Sequence, residues 1–167
     1  ANAIAYKPAR ERITEFKINW NIISWPGKAW AKRVFPNVDE NEAISKLGDA
    51  IFHASRVTSE DPVSEWGNHN KNLREKTDWL NSMNFSSLHY EGPGTSLEVG
   101  LAQDHEWMGG ASEAQNGIIC NPNIPSEEVF TTPHSLKVNG KVCSTKPLSY
   151  QGTLIEDIAV EFEDGKI

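Results

Sequence analysis

The spacing of hydrophobic and polar positions changes near Asn84. Before it, apolar residues recur at helical intervals. Ile44, Leu47, Gly48 and Ile51 fall on one face behind Asp39, a pattern that predicts a helix capped by Asp39 and running to about Ser55. Gly48, within that face, marks a place for close packing. In "EDPVSEW" Asp61 is the predicted cap and Pro62 the first helical residue, and Val63, Trp66, Leu73 and Leu80 continue an apolar stripe to about Met83. Upstream, the chain reads as a basic helical lead-in. "FKINWNIISWP", rich in β-branched and aromatic residues, then predicts a buried strand stopped by Pro26, and "GKAWAKRVFP" a short connector.

After Asn84 the period becomes that of strands. "SSLHYEGPGTSLEVGL" predicts two short strands about a Gly-Pro-Gly turn, and "LKVNGKVCS", centred on Asn139-Gly140, predicts a hairpin with a two-residue turn. No long helix is expected between Ser96 and Ile124. Helices followed by strands give an α+β class: an N-terminal strand and two helices, then a β-rich half with hairpins. The closing "LIEDIAVEFEDGKI" alternates like a strand and reaches the turn dipeptide Asp164-Gly165 with only Lys166 and Ile167 beyond it. A hairpin lacking most of one arm leaves backbone groups unpaired, so the chain is expected to be a fragment of a longer protein.

With 167 residues the chain can bury a full core. Its net charge of −7 and scattered lysines and arginines argue against nucleic acid, which demands a basic stripe. Cys120 and Cys143, without any CxxC, form neither a zinc knuckle nor a disulfide framework, and each reads as a small buried hydrophobe. No apolar run approaches the roughly 20 residues of a membrane span, and the start lacks the apolar core of a secretory signal. A soluble cytoplasmic protein with no membrane partner is expected.

Local motifs for chemistry are sparse. None of the five histidines sits in an HxH or HExxH spacing. His134 could fold back toward Glu128, but Pro133 marks a loop exit; His89 reads as a hydrogen-bonded strand residue; His53, His69 and His105 have no second signal beside them. A GxSxG nucleophile motif and a phosphate-cradling loop are both missing. Among six tryptophans, Trp66 fits a helix stripe and Trp20 and Trp25 flank the predicted strand, which favours core packing, while Trp107 in "DHEWMGG" sits at a pocket or closes a tight turn. In "NPNIPSEEVFTTPH" the adjacent Glu127 and Glu128 would point to opposite faces of a strand, so only one of them can enter a given pocket. Taken alone, such a pair reads as two solvated charges.

Taken together, "AWAKRVFP", "EDPVSEW", "LHYEGPGTSLEVGL", "WMGG", "CNPNIPSEEVFTTPH" and "TKPLSYQGTLIED" resemble, in order and spacing from about Ile13 onward, the M29 family of metal-dependent aminopeptidases, also called the thermophilic aminopeptidase or aminopeptidase T/PepS family. The resemblance implies a two-domain, two-metal hydrolase that removes N-terminal residues from peptides, using divalent ions such as zinc, cobalt or magnesium. Its partners would be peptides with a free N-terminus, and a homodimer is left open. In the family the second glutamate of the "PxEEVF" motif is a metal ligand, here Glu128; the first, Glu127, has no such role. Ser126 stands where threonine is common. The family's other ligands and its catalytic tyrosine lie C-terminal to Ile167, so no catalytic residue is assigned and the chain alone is expected to be inactive. Residues 1–35 would be the tail of an N-terminal domain with a connector, 36–84 the helical part of the catalytic domain, and 85–167 its β-rich part, truncated at the C-terminus. The alternative is a non-catalytic α+β module that binds peptide or carbohydrate through exposed tryptophans.

Overall fold

A computed structural model describes residues 2–150 and 153–167. Its helices are α1 (Asn2–Ala5), α2 (Lys7–Thr14), α3 (Lys28–Val34), α4 (Glu40–Ala54) and α5 (Pro62–Met83). Its strands are β1 (Ile22–Ile23), β2 (Ser87–Gly92), β3 (Thr95–Leu101), β4 (Met108–Gly109), β5 (Ser112–Glu113), β6 (Ile119–Cys120), β7 (Asn123–Ile124), β8 (Val129–Phe130), β9 (Pro133–Cys143), β10 (Leu148–Tyr150), β11 (Thr153–Ile155) and β12 (Ala159–Phe162). The α+β class holds, and no described helix lies between Ser96 and Ile124. No described helix is long and apolar enough to cross a membrane.

The chain folds into two compact units, one formed by residues 1–76 and 109–129, the other by 77–108 and 130–167. The first unit is built on α3 and α4. Asp39 caps α4 as expected: its Oδ1 accepts from the backbone N–H groups of Asn41 (2.9 Å) and Glu42 (3.1 Å), satisfying two donors of the first turn. Ala43, Leu47 and Ile51 close on Ala31 of α3, with Phe35, Val38 and Ile44 packed around them. A Cβ at Gly48 would touch Pro26 Cγ at 3.6 Å, the close packing that its place in the apolar face indicated.

Two expectations fail here. The "GKAWAKRVFP" segment is a helix, α3, rather than a connector. Seven residues are too short to hold a helix by propensity, and it is the complete burial of Ala31 that holds this one. The buried N-terminal strand shrinks to β1, whose Ile22 and Ile23 are 60% and 62% exposed and which pairs in parallel with β7. β-Branched residues favour a pleated surface only where neighbours cover it, and two rungs of one ladder do not. Trp25 is accordingly 71% exposed, meeting Phe52 edge-on at 6.2 Å.

Asp61 caps α5, accepting from Ser64 N–H (3.0 Å) and Ser64 Oγ–H (2.6 Å). Leu73 is 1% exposed, whereas Val63 of the same predicted stripe is 83% exposed. Periodicity fixes which face of a helix is apolar, not how far along it a packing partner reaches.

In the second unit an antiparallel sheet runs in the order β12-β9-β3-β2. The β2–β3 hairpin forms about Pro93-Gly94 as predicted, with Gly94 at φ +70°. Asn139-Gly140, however, is not a turn: β9 runs straight through it, Gly140 facing Leu97 on one side and Phe162 on the other. The glycine is needed because its φ is +109° and a Cβ there would lie 2.2 Å from the Ser96 carbonyl oxygen. Asn139 Oδ1 accepts from Asp164 N–H (2.8 Å). At Asp164-Gly165 the expected turn does form. Both residues have positive φ (48° and 78°), and Glu163 and Lys166 exchange backbone hydrogen bonds of 3.0 Å, as in a type I′ hairpin. β10 pairs with β11, β4 with β8 and β5 with β6. Cys120 and Cys143 are free and half-buried, less enclosed than expected.

Candidate functional site

The segment from Asn121 to Glu128 belongs to the first unit. After β7 comes a cis Ile124–Pro125 peptide; Ser126, Glu127 and Glu128 then follow in irregular backbone before β8. The two glutamates therefore do not sit on a strand, and pleat alternation is not what separates them. Their partners separate them.

Glu127 is held by Arg56, the second residue beyond α4. The guanidinium forks onto the carboxylate, Nη1 donating to Oε1 (2.6 Å) and Nη2 to Oε2 (3.0 Å). Arg56 has a left-handed backbone (φ +61°), and its N–H donates to the His53 carbonyl (3.0 Å). Its guanidinium lies 5.6 Å from the ring centre of Trp66, whose Nε1–H donates to the Ser55 carbonyl (2.9 Å). The hydrogen bonds from Arg56 hold the Glu127 carboxyl below its ordinary value of 4.5 against the opposing effect of burial, helped by the charges of Arg56, His69 and Lys76. Those same bonds raise Arg56. Glu127 is thus an ionised carboxylate whose two oxygens are already engaged.

α5 secures the rest of the segment. His69, edge-on to Trp66 at 5.4 Å, donates from Nε2 to the Ser126 carbonyl (2.6 Å), and the same nitrogen is 3.7 Å from Glu127 Oε2. Asn70 and Asn121 exchange amide hydrogen bonds of 3.0 and 2.8 Å. From the other side, Asn21 Nδ2 donates to the Asn121 carbonyl and Ile22 N–H to the Pro122 carbonyl, both at 2.7 Å.

Glu128 differs from its neighbour. Both side chains are exposed, but among the described residues that of Glu128 has neither a hydrogen bond nor an ion pair. Its carbonyl oxygen seats against Gly109, where a Cβ would lie 2.8 Å away. A cleft of about 530 Å³ in the second unit is lined by Gly140, Glu161, Phe162, Glu163, Asp164, Lys166 and Ile167. Among the described residues no group of three or more His, Cys, Asp or Glu side chains converges.

The other sequence candidates are engaged elsewhere. His134, at the start of β9, accepts from Leu136 N–H at Nδ1 (3.2 Å). His89 projects to solvent beside its cross-strand neighbour Glu98 (3.7 Å), and His105 donates from Nδ1 to the Ala102 carbonyl (3.0 Å). Trp107 is 9% exposed and bracketed by Asn81, which accepts from its N–H (2.7 Å) and donates to its carbonyl (3.1 Å). Arg56, His69 and Asn70 carried no signal of their own in the sequence, since their partners lie 71, 57 and 51 positions away.

Comparison with known proteins gives one consistent result. The family model described as thermophilic metalloprotease (M29) matches residues 1–167. Aminopeptidase T of Thermus thermophilus is 51% identical over 99% of this chain and 40% of its own length. Aminopeptidase 2 of Geobacillus stearothermophilus is 45% identical over 89% of this chain and 36% of its own. The solved structure of wild-type AmpT from Thermus thermophilus superposes with a TM-score of 0.89 at 48% identity, covering 97% of this chain and 39% of that one. The chain thus spans about two fifths of the length of these relatives, and with a match along its entire length it belongs to the M29 metalloprotease family.

Proposed function

We propose that the chain is a segment of a metal-dependent aminopeptidase and that Glu128 supplies one carboxylate ligand to its metal centre. One observation carries this reading. Of two adjacent glutamates on a tied-down segment, one is fully engaged by a guanidinium while the other presents an exposed carboxylate without a partner. A hard, anionic oxygen donor of this kind suits a divalent cation such as zinc, cobalt or magnesium. A hydrolytic site needs about three protein ligands, and no such trio converges among the described residues. Glu128 is therefore one contributor, and the remaining ligands belong to the part of the enzyme that this chain does not span. When bound, a pair of divalent ions would polarise the scissile carbonyl and activate a water. Within this chain, Glu128 binds and Glu127 does not. Residues 1–35 are assigned to the tail of an N-terminal domain and the remainder to the catalytic domain of a cytoplasmic enzyme acting on peptides with a free N-terminus.

The test is made in the full-length enzyme with an aminoacyl chromogenic substrate. Glu128→Ala should abolish most activity with folding intact, and Glu127→Ala should cost much less. Equal losses in the two folded variants would refute the assignment. The 167-residue chain supplied with zinc, cobalt or magnesium should not turn over the substrate.

A further inference from the structure

We infer that Arg56, through its forked ion pair with Glu127, and His69, through the Ser126 carbonyl, form a positioning clamp that fixes the backbone on which Glu128 is presented and withdraws Glu127 from competing as a ligand. This rests on the assignment of Glu128 as a ligand.

Glu128 stands in irregular backbone, where no ladder of hydrogen bonds sets its φ and ψ. A ligand must nevertheless be held to within about 0.5 Å of its working position, which requires supporting contacts around it. Those contacts converge on the residues just before it. His69 fixes the Ser126 carbonyl at 2.6 Å and Arg56 takes both oxygens of Glu127 at 2.6 and 3.0 Å. The planar fork of arginine sets orientation as well as distance, which a lysine ammonium cannot do. Arg56 is itself seated over Trp66, and Trp66 is tied to the Ser55 carbonyl. On its own account Glu128 is seated by its carbonyl against Gly109. The backbone is thus restrained on both sides of a side chain that has no restraint of its own. The fork has a second effect. A free carboxylate next to a ligand would offer a cation an alternative site one residue away, and the guanidinium occupies it.

Metal titration of the purified, metal-free full-length enzyme by calorimetry, alongside its melting temperature, tests the clamp. Arg56→Gln and Glu127→Gln should each weaken metal binding by about tenfold, the scale for loss of a group that orients a ligand. The double variant should be no worse than either single change, because both remove one interaction. Excess metal should restore activity to these variants but not to Glu128→Gln. If Arg56→Gln lowers the melting temperature of the metal-free protein, Arg56→Lys replaces it; it keeps the charge but not the fork and should still bind metal several-fold more weakly. Wild-type affinity in the folded Arg56 variants, with binding lost in Glu128→Gln, would overturn the clamp and leave Glu128 as a ligand. Wild-type affinity in Glu128→Gln would overturn the ligand assignment and the clamp with it.

Discussion

The segment 121–128 and strand β9 both depend on contacts far away in sequence, but through different groups. β9 is fixed by its backbone, which pairs with β3 on one edge and β12 on the other, and it bears a glycine where those backbones crowd together. The 121–128 segment has only the two rungs of β7 and is fixed mainly by side chains: a guanidinium, an imidazole ring and two amides. A backbone ladder tolerates substitution at most positions and fails where space is short. A side-chain lattice can be taken apart one residue at a time while the fold survives. Side-chain contacts of this kind hold the backbone of the segment without engaging the Glu128 side chain.

The largest effect should come from breaking the ladder at its tight point. Gly140→Ala puts a Cβ 2.2 Å from the Ser96 carbonyl oxygen at a φ of +109°. It should destabilise the chain by roughly 3 kcal/mol or more, the scale of severe strain at a special backbone position. Chemical denaturation checks this; a loss within about 0.5 kcal/mol, the scale of an ordinary surface change, would mean that β9 does not need the glycine.

An intermediate effect is expected at the lattice. Asn70→Ala removes both amide hydrogen bonds to Asn121 and leaves that half-buried side chain without this partner. The cost should be about 1–2 kcal/mol. Hydrogen exchange should quicken across 121–128 and stay unchanged in β3 and β9. Equal quickening in both would show that the two regions do not open separately.

The smallest effect should be the pH dependence of the cap on α5, the helix that carries His69 and Asn70. Hydrogen bonds from Ser64 hold the Asp61 carboxyl below its ordinary value of 3.8. Because the folded value is the lower one, the stabilisation is fully present above the unfolded value and is lost as pH falls through the folded one. Asp61→Asn keeps a capping oxygen but removes the titration. The stability difference between the wild type and this variant should be constant at neutral pH and change only below about pH 4. A difference that changes near neutrality would mean that another group is responsible.

How much of this could be read in advance depended on the range of the interactions. Asp39, Asp61 and Pro62 announced their helices because a cap acts within three residues. The stripe through Leu47 and Ile51 was legible because amphipathic spacing is also local. Two turn dipeptides show where such reading stops. Asp164-Gly165 makes a hairpin turn, whereas Asn139-Gly140, equally suited to one, lies in mid-strand. The dipeptide states what the backbone can do there; Ser96, 44 positions earlier, decides what it does. Likewise β-branched composition predicted a buried strand around Ile22, but coverage by neighbouring strands was not available there.

By itself the sequence determined the α+β class, the two long helices with their caps, the β2–β3 hairpin and the adjacency of the two glutamates. It also carried the ordered motifs of the M29 family. All of these depend on residues close together in the chain or on the order of residues along it. Only the tertiary structure decided which glutamate is engaged. Arg56 reaches Glu127 across 71 positions and His69 reaches Ser126 across 57, and no local pattern encodes either meeting. A guanidinium and a carboxylate each accept many partners, so their pairing is fixed by the packing of helices and loop that brings them within 3 Å of one another.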